Sequence, residues 1–474
     1  MKSVSEEAEQ RASCVVVGGG LAGMLAARRL QQLGATATVL EKGDVEGGLG
    51  NTVISGGIVH VAWLPPDAAV GAKRDRLLAE TDGEIGPELA DAFARMSSHV
   101  IPWLVGEGVQ MRAKTAGPAT RWTFWPFRSG DGRRLHPDLG PGQAMSALYA
   151  NFRRSGGTIV LGARANSLER VSRGRARWRV GYGTGEGQRS LLADCVLVAD
   201  GGFQGNQEML SRYVGPNAGL CLLRAATSGT GDGLRLLLGV GAGAVGLGRV
   251  YGHLVSATAL ESDELWPFPH LDELCLKGAL VSRRGDLFPV TVDSPEGLVT
   301  RLARTEDPRG FAAIFDQGLW AEAAHQHTLG IPVANPGLVE RGGHLCASET
   351  IAGLAAALGM AERRLARAVD AHNCEPGSVP IKTPPYRAVR VVPGITFTMG
   401  GARIGPDAGV QGPDGKAIPG LYAAGSTAGG VNGGPRGGYI GGLAAAATFG
   451  YIAGGSMAAR VASPISRPGQ GQQP

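Results

Sequence analysis

The chain has 474 residues, enough for two to three domains with a sizeable core. Its 46 basic and 41 acidic residues leave a net charge of +5, carried by scattered arginines rather than runs, which argues against a nucleic-acid surface and suits an anionic cofactor or substrate. The 77 glycines follow no three-residue repeat, so the chain is not collagen-like, and the six cysteines form no C-x-x-C pair of the kind that holds zinc, iron–sulfur clusters or attached haem.

Residues 1–12 are polar and read as a disordered lead-in without an apolar signal segment, so a cytoplasmic chain is expected. Residues 14–17 (CVVV) then form a buried strand, followed by the glycine turn GGGLAG and a helix running to about residue 33. In that turn Gly18 allows a sharp bend, and Gly20 lets the backbone approach a pyrophosphate. Gly23 permits close packing of helix on strand. Gly18, Gly20, Leu21, Ala22 and Gly23 are the expected phosphate cradle, because a helix N-terminus offers free N–H groups and a positive dipole end. A second strand, residues 36–40, ends on Glu41 and Lys42, and Glu41 is placed to accept hydrogen bonds from a ribose diol.

A second glycine loop spans residues 47–57, where Gly48, Asn51, Thr52, Ser55, Gly56 and Gly57 suit backbone and hydroxyl contacts to a flat polar ring. Helix-like segments occupy residues 74–112, and an amphipathic helix residues 142–156. A strand at 158–161 leads past Ala165, a further expected cofactor contact, into a hairpin at 175–182. The run DCVLVADGGF (194–203) reads as a buried strand ending at Asp200 and Gly201, another place where backbone meets ligand. Composition changes from about residue 210, and residues 216–384 read as an inserted domain. The glycine-rich character returns at 385–463, and residues 464–474 read as a disordered tail. The apolar run at 443–462 is alanine- and glycine-rich and reads as a buried helix rather than a membrane span. The expected architecture is α/β: a discontinuous Rossmann-like domain (13–215 and 385–463) with an inserted α+β capping domain (216–384).

Several motifs together support a family. GGGLAG with Glu41, NT and SGG at 51–57, VLVADGGFQGN at 196–206, TGDG at 230–233, PPY at 384–386, TMGG at 398–401 and IPGLYAAG at 418–425 stand in one order. In this the chain resembles the FAD-dependent flavoproteins of the fumarate reductase/succinate dehydrogenase type, which include 3-ketosteroid dehydrogenase, tricarballylate dehydrogenase and urocanate reductase. The resemblance implies FAD in a glutathione-reductase-like domain under a cap. It also implies hydride exchange with an activated C–C or C=C bond beside a carbonyl or carboxylate, by a dehydrogenase or ene-reductase. It implies that the FAD is held noncovalently, because Asn51 stands where the succinate dehydrogenase branch has its flavin-linking histidine. Gly425, Ser426, Gly441, Gly442 and Leu443 complete the expected cofactor contacts, with Ser426 in place of the family's glutamate.

Four residues are carried over as candidate catalytic groups. Arg436 falls where fumarate reductases clamp a carboxylate, a task suited to a planar guanidinium. Tyr439, followed by Ile440-Gly441-Gly442, resembles the tyrosine near the catalytic end of ketosteroid dehydrogenases, where a phenol polarises a ketone or takes a proton. His253 follows an expected strand at 246–251, where relatives carry a substrate-binding histidine. Arg301 lies near their proton-donating arginine. Phe397 replaces the histidine before the TMGG threonine, which disfavours a C4 dicarboxylate, and WTFWPF (122–127) adds to the hint of an apolar substrate. The expected partners are a small carbonyl or carboxylate compound and an unidentified electron donor or acceptor. A rival expectation is an electron-transfer subunit without substrate chemistry. A flavin disulfide reductase is disfavoured because no cysteine pair lies near the opening helix.

Overall fold

The computed structural model describes residues 10–116, 119–127, 138–173, 176–291, 294–326 and 331–463. Residues 1–9 and the expected tail, 464–474, lie outside the described residues. The larger sheet runs in the order Gly409–Gln411, Ala417–Ala423, Gly187–Val198, Gln10–Val17, Ala37–Leu40 and Thr158–Val160. The first strand pairs in parallel with Ala37–Leu40 on one side and Gly187–Val198 on the other. Cys14, Val15 and Val16 are accordingly inaccessible to solvent, as expected of a strand covered on both faces. This strand begins earlier than its apolar run, because Gln10–Ala12 continue the ladder against Leu191–Ala193. The reading of residues 10–12 as disordered is thereby corrected: backbone pairing at a sheet margin needs no apolar side chains. An antiparallel hairpin, Arg164–Arg173 with Ala176–Thr184, extends the sheet from Gly187–Val198.

The helix Leu21–Gln32 packs along the helix Gly442–Ala462, and glycine makes that approach possible. A Cβ on Gly450 would lie 2.3 Å from the Ala22 carbonyl oxygen, and one on Gly454 would lie 2.7 Å from that of Ala26. The apolar C-terminal run is therefore an internal packing helix, and no described helix is long and apolar enough to cross a membrane.

The second sheet is built on the long strand Tyr386–Thr398, which pairs with Leu222–Leu223, Val250–Ser256, Phe311–Phe315 and Cys346–Ser348. The boundary drawn at 385 thus falls at the start of a strand whose partners lie in the intervening segment. His253 sits inside the strand Val250–Ser256 rather than after it, beyond a register shift between Tyr251 and Gly252. Such irregularities locally re-aim side chains. A small sheet of Ala244–Val245, Gly401–Arg403 and Ala428–Gly429 joins the two parts. The result is an α/β fold: a Rossmann-like domain for the dinucleotide, with an inserted α+β cap beside the carboxyl ends of its parallel strands.

Candidate functional site

A cleft opens where the parallel strands end. Gly18 turns with φ +100°, and a Cβ there would stand 2.5 Å from the Ala199 carbonyl oxygen, so only glycine fits. A methyl on Gly20 would meet no atom of the chain within 4 Å, which leaves the space before the turn open. Gly20 gives the helix Leu21–Gln32 no side-chain cap of its own; the Leu21 amide donates to Thr52 Oγ1 at 3.3 Å, from the second glycine loop. The Glu41 carboxylate accepts from Gly19 N and Gly43 N, each at 2.7 Å, and so shapes the turn as well as edging the cleft. Asn51 crosses from the second glycine loop, donating to Thr396 O and accepting from Ala226 N, both at 2.8 Å. That loop contains one helical turn, Asn51–Ile54. On the opposite wall, Gln204 Oε1 is buried without a hydrogen-bond partner. An orphan acceptor in a cleft wall calls for a donor from a ligand. An open glycine turn at a helix N-terminus and this unmet acceptor fit a flavin dinucleotide.

The cleft also holds a charge cluster. Asp232 accepts from Arg164 Nη2 at 2.8 Å, Arg235 Nη2 at 2.6 Å and Thr230 Oγ1 at 2.9 Å, with Lys42 Nζ 3.5 Å away. Burial alone would raise its carboxyl, but Arg164, Thr230 and Lys42 outweigh that and hold it below the usual range. Asp200 accepts from Gly233 N at 2.8 Å and Thr427 Oγ1 at 3.2 Å, and its burial pushes the carboxyl up.

At one end the cleft passes Gly425, Ser426 and Ala446 into a smaller pocket lined by Phe397, Asn432 and Gly442. Behind it lies an aromatic cluster. Tyr251 stacks on Tyr439 with centroids 3.9 Å apart, and Phe397 lies 5.0 Å from Tyr251. Trp63 and His60 meet Tyr439 edge-on. Gly442 N donates to the Tyr439 hydroxyl at 3.2 Å. Burial raises the Tyr439 phenol, with the Gly442 amide and the neighbouring Tyr251 hydroxyl opposing. Tyr251 Oη lies 3.0 Å from His253 Nε2, and His253 Nδ1 lies 2.7 Å from Asp272 Oδ2. His270 stacks on His253 at 3.6 Å and meets Arg224 Nη2 at 3.0 Å. His253, His270 and Asp272 converge closely enough to resemble a metal site, but the Arg224 guanidinium occupies the same cluster and is a poor neighbour for a cation.

Of the expected cofactor contacts, Gly18, Gly20, Leu21, Ala22, Glu41, Lys42, Gly48, Asn51, Thr52, Ala165, Asp200, Gly201, Gly425 and Ser426 line the cleft. Gly442 lines the smaller pocket. Gly23 acts through packing, since a Cβ there would stand 1.9 Å from the Gly18 carbonyl oxygen. Gly57 and Gly441, at φ +77° and +106°, pack against Pro141 and His60 respectively. Ser55, Gly56 and Leu443 are not among the residues lining either space. Gln204, Gly229, Asp232 and Arg164 line the cleft beyond those expected; TGDG marks Asp232 in the sequence only as a motif. Tyr251, Asp272, His270 and Arg224 carry no sequence signal that singles them out.

The candidate catalytic residues separate. Tyr439 and His253 share the aromatic cluster. Arg436 is more than half exposed and pairs with Asp82 at 2.6 Å, also reaching the Ala79 carbonyl. Arg301 lies over Phe288 at 5.0 Å, with Nη1 buried and without a hydrogen-bond partner. In the aromatic stretch at 122–127, Phe124 is core and Trp125 stacks under Arg112.

Residues 13–441 match the family model described as FAD binding domain. NADH:fumarate oxidoreductase of Klebsiella pneumoniae is 25% identical over 94% of this chain, which spans 47% of that protein's length. Vinyl phenol reductase of Lactiplantibacillus plantarum is 23% identical over 88% of this chain and 90% of its own. Among solved structures, the 3-ketosteroid delta1-dehydrogenase of Sterolibacterium denitrificans is 20% identical and superimposes with a TM-score of 0.72, covering 95% of this chain and 100% of that one. With a two-part dinucleotide cleft and a family match across most of its length, this chain belongs to the FAD binding domain family, and its cofactor is FAD.

Proposed function

We propose that the protein is an FAD-dependent oxidoreductase that exchanges hydride with a C–C or C=C bond activated by a neighbouring carbonyl. The cleft residues from Gly18 to Glu41 would hold the adenosine and pyrophosphate. Gly425 and Ser426 would stand where the flavin ring approaches the smaller pocket. FAD, when bound without a covalent link, supplies or accepts the hydride. Tyr439 donates its hydroxyl proton in a hydrogen bond to the substrate carbonyl oxygen and so stabilises the charge that develops there. Phe397, Trp63 and the stacked tyrosines exclude water and favour a planar, weakly polar substrate. The relatives include reductases of fumarate and of a vinyl phenol, which supports C=C chemistry.

The observation that carries this reading is the aromatic cluster of Tyr439, Tyr251 and Phe397, the last of which lines the pocket that continues the flavin cleft. A carbonyl is favoured over a carboxylate as the activating group because the Arg436 guanidinium is engaged with Asp82. A cytoplasmic location is part of the same proposal and is tested by cell fractionation. The activity test is anaerobic: the flavin is reduced with dithionite, and its reoxidation is followed on adding cyclohex-2-enone, androst-4-ene-3,17-dione, 4-vinylphenol, fumarate or urocanate. The oxidative direction uses the saturated ketones with oxidised flavin. Electron exchange with the ketones supports the reading. Exchange with fumarate alone would move the substrate to a dicarboxylate, and exchange with none would favour an electron-transfer role.

A further inference from the structure

The hydrogen-bond order behind Tyr251 carries a further assignment, which rests on the oxidoreductase reading above. Asp272 receives two donors: Leu254 N–H at 2.7 Å on Oδ1 and His253 Nδ1 at 2.7 Å on Oδ2. An ionised carboxylate only accepts, so the hydrogen of the imidazole sits on Nδ1. Burial holds His253 neutral, against the opposing pull of Asp272. Its Nε2 is therefore a bare lone pair, and it faces the Tyr251 hydroxyl at 3.0 Å. Tyr251 must then donate to His253, which turns the other lone pair of its oxygen outward. Its stacked neighbour Tyr439 accepts from the Gly442 amide and has the Tyr251 hydroxyl beside its own. Tyr251 packs against Phe397, which lines the smaller pocket next to the flavin cleft.

We infer that Tyr251 is the group that exchanges a proton with the substrate carbon, and that His253 and Asp272 are positioning residues that take up and hold the Tyr251 proton behind it. In the oxidative direction one C–H bond breaks at each of two adjacent carbons. The proton beside the carbonyl passes to Tyr251 Oη, while the Tyr251 proton moves to His253 Nε2. Hydride leaves the second carbon for the flavin, and a C=C bond forms. The substrate loses two electrons, the flavin gains two, and His253 ends as imidazolium against Asp272. The reductive direction reverses each transfer. His253, carried over from the family as a substrate contact, here stands one residue behind the substrate.

The groups facing this array are His270 and Arg224 beside His253, Glu296 from the helix Pro295–Ala303, and Tyr439 from the glycine-rich loop, with Arg121 beyond Tyr439. Burial pushes the Glu296 carboxyl up to about 7, so its titration must be separated from that of His253.

The discriminating variant is Asp272→Asn. Asn can keep its carbonyl toward Leu254 N–H, and its NH2 then faces Nδ1 and forces the hydrogen onto Nε2. His253 would donate to Tyr251 and could accept nothing from it. With FAD content unchanged, kcat for androst-4-ene-3,17-dione or cyclohex-2-enone should fall about 100-fold, as expected for loss of a positioned base. KM should stay within threefold, and the acid-side fall of kcat, set by His253, should vanish while any inflection from Glu296 remains. Tyr251→Phe, which removes one oxygen and keeps the stack, should lose kcat to the same degree. The reading without turnover is 15N NMR of histidine-labelled holoprotein: neutral Nδ1–H for His253 at pH 7 in the wild type, Nε2–H in Asp272→Asn. A reversed tautomer with kcat within threefold of wild type overturns the relay, as does a wild-type His253 found as Nε2–H or as imidazolium. If no compound exchanges electrons with the flavin, the oxidoreductase reading fails by itself, and the NMR result still decides the hydrogen-bond order on which the relay depends.

Discussion

Glu41→Gln tests how the cofactor turn is held. Glu41 is 8% exposed and closes the strand Ala37–Leu40, and its two oxygens each accept one backbone N–H, from Gly19 and Gly43, at 2.7 Å. Hydrogen bonds to a charged group contribute about 1.5–3 kcal/mol each. Glutamine retains one acceptor, now neutral, and points an NH2 at the other N–H, so two donors face each other. The combined loss is about 3 kcal/mol. If it falls on the binding-competent shape of residues 18–20, the apparent FAD dissociation constant rises by about 100-fold. The assay is reconstitution of stripped protein, followed by quenching of FAD fluorescence, with thermal unfolding of the apoprotein as companion. Glu41→Ala should weaken binding at least as much. A dissociation constant within threefold of wild type, with an unchanged unfolding midpoint, would show that the turn is set by its glycines alone and that the two short bonds contribute nothing.

Tyr439→Phe should keep FAD and lose kcat by about 100-fold, the scale of a lost hydrogen-bond donor at developing charge. Because burial raises the Tyr439 phenol above its usual range, any alkaline fall of the wild-type rate below pH 9 must survive in this variant through another group, and its disappearance would contradict the burial argument. Arg436→Ala breaks a pair whose side chains are 56% and 28% exposed, so the unfolding midpoint should barely move, as for ion pairs worth about 0–1 kcal/mol. With a carbonyl substrate its KM should also stay within threefold, whereas a rise beyond tenfold would return Arg436 to the role of substrate clamp. Burial, aided by Arg121, holds the His60 imidazole down at about 3 against an ordinary 6.5. The unfolded chain therefore binds this proton first as pH falls. His60 contributes stability that is complete above about pH 6.5 and is lost progressively toward pH 3. His60→Asn, which keeps an acceptor for the Trp63 N–H, should flatten the acid limb of unfolding midpoint against pH, and an unaltered limb would place the acid sensitivity elsewhere.

What could be read from the chain alone was what short-range physics encodes. The opening strand, turn and helix follow from alternation between apolar periods and from glycines whose need is local: a left-handed φ at Gly18, a contact five residues away at Gly23. The same holds for Glu41 at its strand end and for the glycine-rich late segments that line the cleft. Residue order could not say which polar groups meet. Arg436 finds Asp82 across 354 positions, Asn51 finds Thr396 across 345, and Asp232 gathers Arg164 from 68 away. Nor could spacing bring two distant phenols together; Tyr251 and Tyr439 become stacked partners only when the cap sheet is laid against the flavin domain. Periodicity reports which face of an element is buried, because burial repeats with the backbone. Which hydroxyl donates and which accepts depends on a hydrogen-bond partner brought in by another element, and that was decided by tertiary structure alone.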